Sequence, residues 1–395
     1  MSIDTYDLIV IGGGPVGLST AYHAGKRGLR TLVLESAGFF NDQGSSAGAS
    51  RQFRLQYSEK YMAELAIAAQ TYWADLQLYT FETLVQRTGS LWFGDPALSS
   101  QEGGIQAAMD TMDALSVPYT ALTDGRAIES AAPFRDLPSN YSGFFQADGG
   151  IIRLKATERA LYDAALATGR VTFRAWEPVL AIEPVAKGVT VVSCQARHRA
   201  EKVAITAGPY TNQLLSLLGC KAPYSIWQMS SAYFRKTDFG LRLPTWFVFQ
   251  KPQNTSLFYG FPEVDWAFPG YIRVAPDIPD RILTDPSERS RAPSEKSLAL
   301  TAAWVRDHMV GLDPTPHFTS TCMIALAADA SRELLLDYAP GSDDRIVVYT
   351  AGWAAKFIPI LGEMINQMLD GPLTAFEFGD ARIARSHFTI DWQEN

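Results

Sequence analysis

DLIVIGGGPVG, from Asp7 to Gly17, followed by LSTAYHAGKRG to Gly28 and LRTLVLE to Glu35, is the stretch that decides the fold. Asp7 to Ile11 is a short unbroken apolar run, the mark of a parallel strand covered on both faces. Gly12, Gly14 and Gly17 then follow in a G-x-G-x-x-G spacing. The first glycine permits a tight turn, the second lets backbone approach a pyrophosphate, and the third lets a helix pack close to the strand. A helix is expected from about Val16 to Lys26, with Gly28 as its cap. A second strand, Thr31 to Leu34, ends at Glu35, whose carboxylate is placed to accept hydrogen bonds from a ribose. The whole reads as a βαβ unit for a dinucleotide. The motif alone does not choose between NAD and FAD, and its position at the start of the chain favours FAD.

The next segment points the same way. GSSAGASRQFR, from Gly44 to Arg54, is a loop of small residues leading into two arginines three positions apart. Small residues such as Ser45 and Ser46 let backbone pass close to a flat ring. At helical spacing Arg51 and Arg54 would share one face and bring positive charge to it. The plainer alternative is a solvated loop followed by a surface helix.

Farther along, Lys60 to Leu78 has helical periodicity, Gly89 to Gly94 reads as a strand, and Lys155 to Ala167 as a helix. Val171 to Arg174, Val189 to Cys194 and Val203 to Thr206 suggest the strands of a small sheet, and Val203 to Thr206, ending at the Gly208 turn, fits a further strand edge facing the cofactor. Gly219 to Pro316 is rich in aromatics and proline, and its alternation suits an antiparallel sheet over a pocket. Most of those aromatics are expected to be core packing. A strand from Arg345 to Thr350, a turn from Ala351 to Phe357 and a helix from Ile358 to Leu369 return to α/β character. The expected fold is therefore α/β, with a Rossmann-type FAD-binding domain and a second, α+β substrate domain built on a mixed or antiparallel sheet. The cofactor domain is expected to be discontinuous, comprising residues 1–85, 151–217 and 319–395, with 86–150 and 218–318 forming the substrate domain.

Composition narrows the function. The chain has 395 residues, 47% hydrophobic and 19% charged, which fits two globular domains and not a disordered chain. The formal charge is −8 and no basic block appears, so nucleic acid is not the expected partner. The three cysteines, Cys194, Cys220 and Cys322, are far apart and suggest neither a disulfide framework nor a metal site. There is no apolar run long enough for a membrane helix and no signal-peptide pattern, so the expected location is the cytoplasm.

Taken in order, GGGPVGLSTAYHAGKRG, GSSAGASRQFR, AGPYT, STCM and GWAAKF resemble the monomeric sarcosine oxidase family of D-amino-acid-oxidase-like flavoproteins. The resemblance covers nearly the whole chain. Through FRLQY, GSLWFGD, GPYTNQLL and LFYGF it is nearest to the nikkomycin-pathway branch that oxidises piperideine-2-carboxylate. It implies a monomer that oxidises the C–N bond of a small amino or imino acid and passes electrons to molecular oxygen, giving hydrogen peroxide. A cyclic substrate of the piperideine-2-carboxylate, pipecolate or proline type is expected first, and an N-methyl amino acid such as sarcosine second. A flavin dehydrogenase with another acceptor and a non-catalytic FAD-binding scaffold are the remaining readings.

The resemblance also implies residue roles. Cys322, which composition alone makes a buried structural cysteine, falls where the family attaches FAD through an 8α-S-cysteinyl bond. Arg54 and Lys356 fall where the substrate carboxylate is bound, a task suited to a planar guanidinium and an ammonium. Arg51 and Gly352 are placed near the flavin. Trp353, Glu102 and Asp277 match active-site positions of the branch. Arg273 falls where sarcosine oxidases carry an oxygen-activating lysine, a departure that keeps the charge and changes its shape.

Overall fold

The computed structural model describes residues 4–252, 256–329 and 332–394. Residues 253–255, within the aromatic-rich region, lie outside the described residues.

The opening βαβ unit forms as its pattern dictates. The strand Asp4–Ile11 pairs in parallel with Thr31–Leu34, and the helix Pro15–Lys26 connects them. Pro15 sits in the first turn of that helix, where its missing N–H costs nothing. The two glycines that frame the turn do steric work. Gly12 has φ +107°, and a Cβ there would lie 2.8 Å from Thr206 O. A Cβ on Gly17 would lie 1.9 Å from Gly12 O, so only a bare Cα lets the helix come this close to the strand end. At Gly14 an added Cβ would meet nothing within 4 Å, because that backbone faces open space.

Around this unit stands an eight-stranded sheet. Val171–Arg174, Thr31–Leu34, Asp4–Ile11, Arg197–Ile205 and Ile346–Thr350 run parallel to their neighbours, in that order. Val179–Val185, Gly188–Ser193 and Leu335–Tyr338 add antiparallel pairings. The strands near 171, 190 and 203, expected as the strands of a small sheet, belong to this eight-stranded one. Periodicity identified them as strands; Gly188–Ser193 pairs with its sequence neighbours on both sides, whereas Val171–Arg174 and Arg197–Ile205 join Thr31–Leu34 and Asp4–Ile11, more than a hundred residues away. The helix Ile358–Asp370 packs against Pro15–Lys26. There Gly362 is so close that a Cβ would sit 2.2 Å from Ser19 Oγ.

A second, nine-stranded sheet is mixed: Ser90–Gly94 and Thr245–Phe249 are parallel and the other pairings antiparallel. Its longest strand, Leu312–Ala327, pairs with Tyr224–Lys236 along most of its length. That strand runs unbroken through the domain boundary expected at residues 318 and 319. Cys322 thus stands on the second sheet, not on the cofactor segment to which the sequence division assigned it.

The Arg51–Arg54 segment differs from the helical expectation. Ser50–Phe53 is a strand, paired with Gly150–Arg153, and Arg54 follows it directly. Four residues carry too little periodicity to separate helix from strand, and the pairing partner decides. No helix among the described residues is long and apolar enough to cross a membrane.

These contacts predict opposite outcomes for neighbouring glycines. Gly17→Ala should destabilise the cofactor-free protein by about 1–3 kcal/mol through overpacking. Gly14→Ala should leave its denaturant midpoint within experimental error. Urea unfolding of both variants checks this, and equal midpoints would contradict the packing role of Gly17.

Candidate active site

A continuous cavity of ≈ 590 Å³ runs between the two sheets. One end is the glycine turn, where Gly12 and Gly14 line the wall with Glu35 beside them. Glu35 is held by backbone: Oε2 accepts from Gly13 N at 2.8 Å and Oε1 from Ala37 N at 2.9 Å. Gly17, expected among the cofactor residues, does not line the cavity and acts by packing.

Ser45 and Ser46 form the next part of the wall. Arg51 fixes this loop, donating to the carbonyls of Ser45, Ala47 and Ser50 at 2.5, 2.7 and 2.7 Å. Arg51 and Arg54 therefore do different jobs. Arg51 turns back to tie the loop, whereas Arg54, just past the strand end, enters the interior.

Cys322 lines the cavity from the second sheet, opposite Met229 in the strand register. Two strands away, Arg273 is buried and donates to Ser50 O at 3.1 Å, with its guanidinium 4.6 Å from the Phe261 ring. Burial opposes its charge, but the Tyr233, Tyr259 and Cys322 side chains outweigh that and raise its pKa. Tyr259 lines the same wall, and burial holds its hydroxyl protonated.

The inner end gathers Arg54, Glu102, Asp277 and Lys356, respectively 1%, 6%, 8% and 5% exposed. Four separate segments supply them. Glu102 sits at the tip of a hairpin between Ser99–Ser100 and Gly103–Gly104, its N–H donating to Ser100 Oγ. Asp277 follows the strand Tyr271–Pro276 and Lys356 lies in the turn before Ile358–Asp370.

Arg54 Nη1 forms an ion pair with Glu102 Oε2. The guanidinium lies 4.6 Å from the Tyr57 ring and 4.9 Å from the Trp92 ring, and Lys356 Nζ is 5.2 Å from Tyr57. Burial opposes the charge on Arg54, and Glu102, Tyr57 and Glu333 together more than compensate, so its pKa rises. Burial and the nearby Arg54 charge lower Lys356 to about 8, against the opposing pull of Glu102, Glu333 and Asp277. Burial and the Glu102 charge raise Asp277 well above the usual carboxylate range, against the opposing pull of Arg54 and Lys356.

Sequence reading missed three contributors. Tyr57 and Trp92 enclose the guanidinium, and Glu333 stands behind the cations with Oε2 buried and without a hydrogen-bond partner. Burial raises Glu333 to about 7. Tyr57 lies three residues after Arg54, a weak signal, whereas nothing local marks Trp92 or Glu333.

The donor set fits FAD. The cavity joins a glycine turn with an open Gly14 face, an acidic strand end, a small-residue loop and a cysteine. It then reaches Gly352 and the start of Ile358–Asp370, where helix N–H groups favour negative charge. No group of three or more metal-ligating side chains is found among the described residues.

The family model for FAD dependent oxidoreductases (DAO) matches residues 7–368. Human peroxisomal sarcosine oxidase is 28% identical over 391 residues, covering 97% of this chain and 96% of that protein. A protein of Dictyostelium discoideum named as a bifunctional amine oxidase is 35% identical over 401 aligned positions. That match covers 94% of this chain, which spans only 36% of the longer protein. Among solved structures, the open form of NikD, described as an unusual amino acid oxidase essential for nikkomycin biosynthesis, superposes with a TM-score of 0.89. It is 38% identical, with 99% of both chains covered. Glycine oxidase from Geobacillus kaustophilus, at 16% identity and a TM-score of 0.72, shares the fold.

The buried ion pair makes a stability prediction. Glu102→Gln leaves the Arg54 charge without its counter-ion and should cost about 3–5 kcal/mol. Adding Arg54→Met should recover a large part of that loss. Denaturant unfolding of the single and double variants checks both statements, and purely additive losses would argue against the coupling.

Proposed function

Because the chain belongs to the DAO family of FAD-dependent oxidoreductases, we propose that it oxidises the C–N bond of a small cyclic secondary amino or imino acid, of the piperideine-2-carboxylate, pipecolate or proline type. Molecular oxygen is the proposed acceptor and a monomer the proposed working form. The observation that carries this reading is the pair of buried cations, Arg54 and Lys356, at the inner end of the cavity beside aromatic walls.

Arg54 spends only Nη1 on Glu102; Nε and Nη2 have no acceptor, which leaves one edge of the fork for a substrate carboxylate. Lys356 supplies further positive charge, which weakens as pH rises through about 8. Burial and the Glu102 charge favour the neutral form of Asp277, in which it competes less for the cations. Glu102 supplies the acceptor oxygen for the proton on the substrate nitrogen. Trp353 lines the pocket and offers a flat face for a ring. Arg273 keeps positive charge where oxygen becomes an anion.

Gly12, Gly14 and Glu35 would hold the ADP half of FAD, with Gly17 supporting them from behind. Ser45, Ser46, Arg51, Gly352 and Lys356 would line the flavin half, and Cys322 would join it covalently. Bound there, FAD supplies the two-electron acceptor that no side chain of the protein provides. The similarity to human sarcosine oxidase favours an acyclic N-methyl amino acid as the second reading.

Anaerobic mixing of the holoenzyme with piperideine-2-carboxylate, pipecolate, proline and sarcosine tests the proposal. The cyclic compounds should bleach the flavin fastest, and admitted oxygen should restore it. Fastest bleaching by sarcosine would support the second reading, and bleaching by none would overturn both. Arg54→Met should raise the apparent substrate KM about 10- to 100-fold, the loss of a charge-assisted hydrogen bond; an unchanged KM would refute the carboxylate role. For Cys322, acid precipitation should leave the yellow colour with the native protein and release it from Cys322→Ser. Release from both would remove the covalent link.

A further inference from the structure

A second cavity, of ≈ 450 Å³, adjoins the first, and Asp277 and Trp353 line both. Trp227, Leu257 and Leu300 form its apolar side, and Gln101 and Lys296 are exposed at its rim. Asp280 also lines it, but that carboxylate is occupied, accepting from Ser294 N and Oγ and from Gln228 Nε2. The first cavity reaches solvent elsewhere, near the exposed Leu180, Gln213 and Leu217 at its glycine-turn end. With FAD bound as proposed above, the dinucleotide takes up that mouth. The inner pocket, where Arg54, Lys356 and Asp277 are buried, then needs another way to solvent, and the second cavity lies across one partition from it.

The partition joins a sterically wedged backbone to a side chain that no hydrogen bond holds. Ala351 and Gly352 have φ of 65° and 90°, and a Cβ on Gly352 would lie 1.7 Å from Glu333 O. The backbone before Trp353 is therefore wedged in place. The Trp353 indole, by contrast, has a buried Nε1 with no hydrogen-bond partner and rests on apolar neighbours around Met229 and Ile324. Turning the ring breaks no hydrogen bond, so side-chain rotation is the inexpensive movement here.

We propose that the second cavity is the vestibule through which the amino- or imino-acid substrate reaches the inner pocket, and that Trp353 with Asp277 forms the door whose opening limits which rings pass. This rests on the reading of the inner pocket as a carboxylate site. Lys296 at the rim gives an anionic substrate its first favourable charge, and the apolar wall suits a compact ring.

The test uses holoenzyme and pyrrole-2-carboxylate, a flat ring acid, with binding followed by stopped-flow flavin absorbance. Gln101→Trp, on a loop, and Leu300→Trp, on the helix Glu295–His308, each narrow the vestibule from a different element. Because filling a passage raises a barrier without changing its end states, association and dissociation rates should both fall about tenfold while Kd stays within about twofold. Trp353→Phe, a smaller door, should raise both rates, and it carries the test if either tryptophan variant fails to fold. Unchanged rates in all variants that fold would overturn the vestibule. So would a raised Kd with an unchanged association rate, which would make the second cavity part of the ligand's own binding site. No absorbance change with the unsubstituted enzyme would instead remove the carboxylate site, and the vestibule with it.

Discussion

The buried guanidinium of Arg54 is the constraint on which the inner site depends. A charge at 1% exposure survives only with compensation. Glu102 supplies the counter-ion, and Tyr57 and Trp92 supply ring faces. These partners come from three stretches of chain, so meeting the needs of one cation fixes the hairpin tip at Glu102 and the strand Ser90–Gly94 beside the segment that follows Ser50–Phe53.

The same requirement shapes the electrostatics of its neighbours. Burial and the Arg54 charge together act on Lys356, whose pKa falls to about 8. Burial and the Glu102 charge in turn raise the pKa of Asp277. In each pair of like charges one member has its charged form weakened, Lys356 among the cations and Asp277 among the carboxylates. Such separated titrations are a common signature of functional sites.

The two sheets divide the labour. The parallel sheet presents a glycine turn and an acidic strand end, a surface for a dinucleotide. The mixed sheet presents Cys322, Tyr259, Arg273 and the aromatic wall. The cavity lies at their seam, so neither sheet alone contains the site. Long strands make this possible: Leu312–Ala327 carries Cys322 to the seam while its other end extends far into the second sheet.

The sequence by itself determined the βαβ unit and the alternation of strands and helices. It also marked most of the residues now found around the cavity. Those signals are local: a glycine spacing, an apolar period, a charged residue in an ordered motif. The tertiary structure decided the rest, because it depends on pairing over long separations. It made Ser50–Phe53 a strand with Arg54 just past its end, placed the strands near 171 and 203 beside the opening βαβ unit, and carried Cys322 on a strand that crosses the expected boundary. It also brought Tyr57, Trp92 and Glu333 to the cations. Burial is a property of the assembled molecule, and burial, with the charges it gathers, gives Lys356 and Asp277 their shifted affinities for a proton.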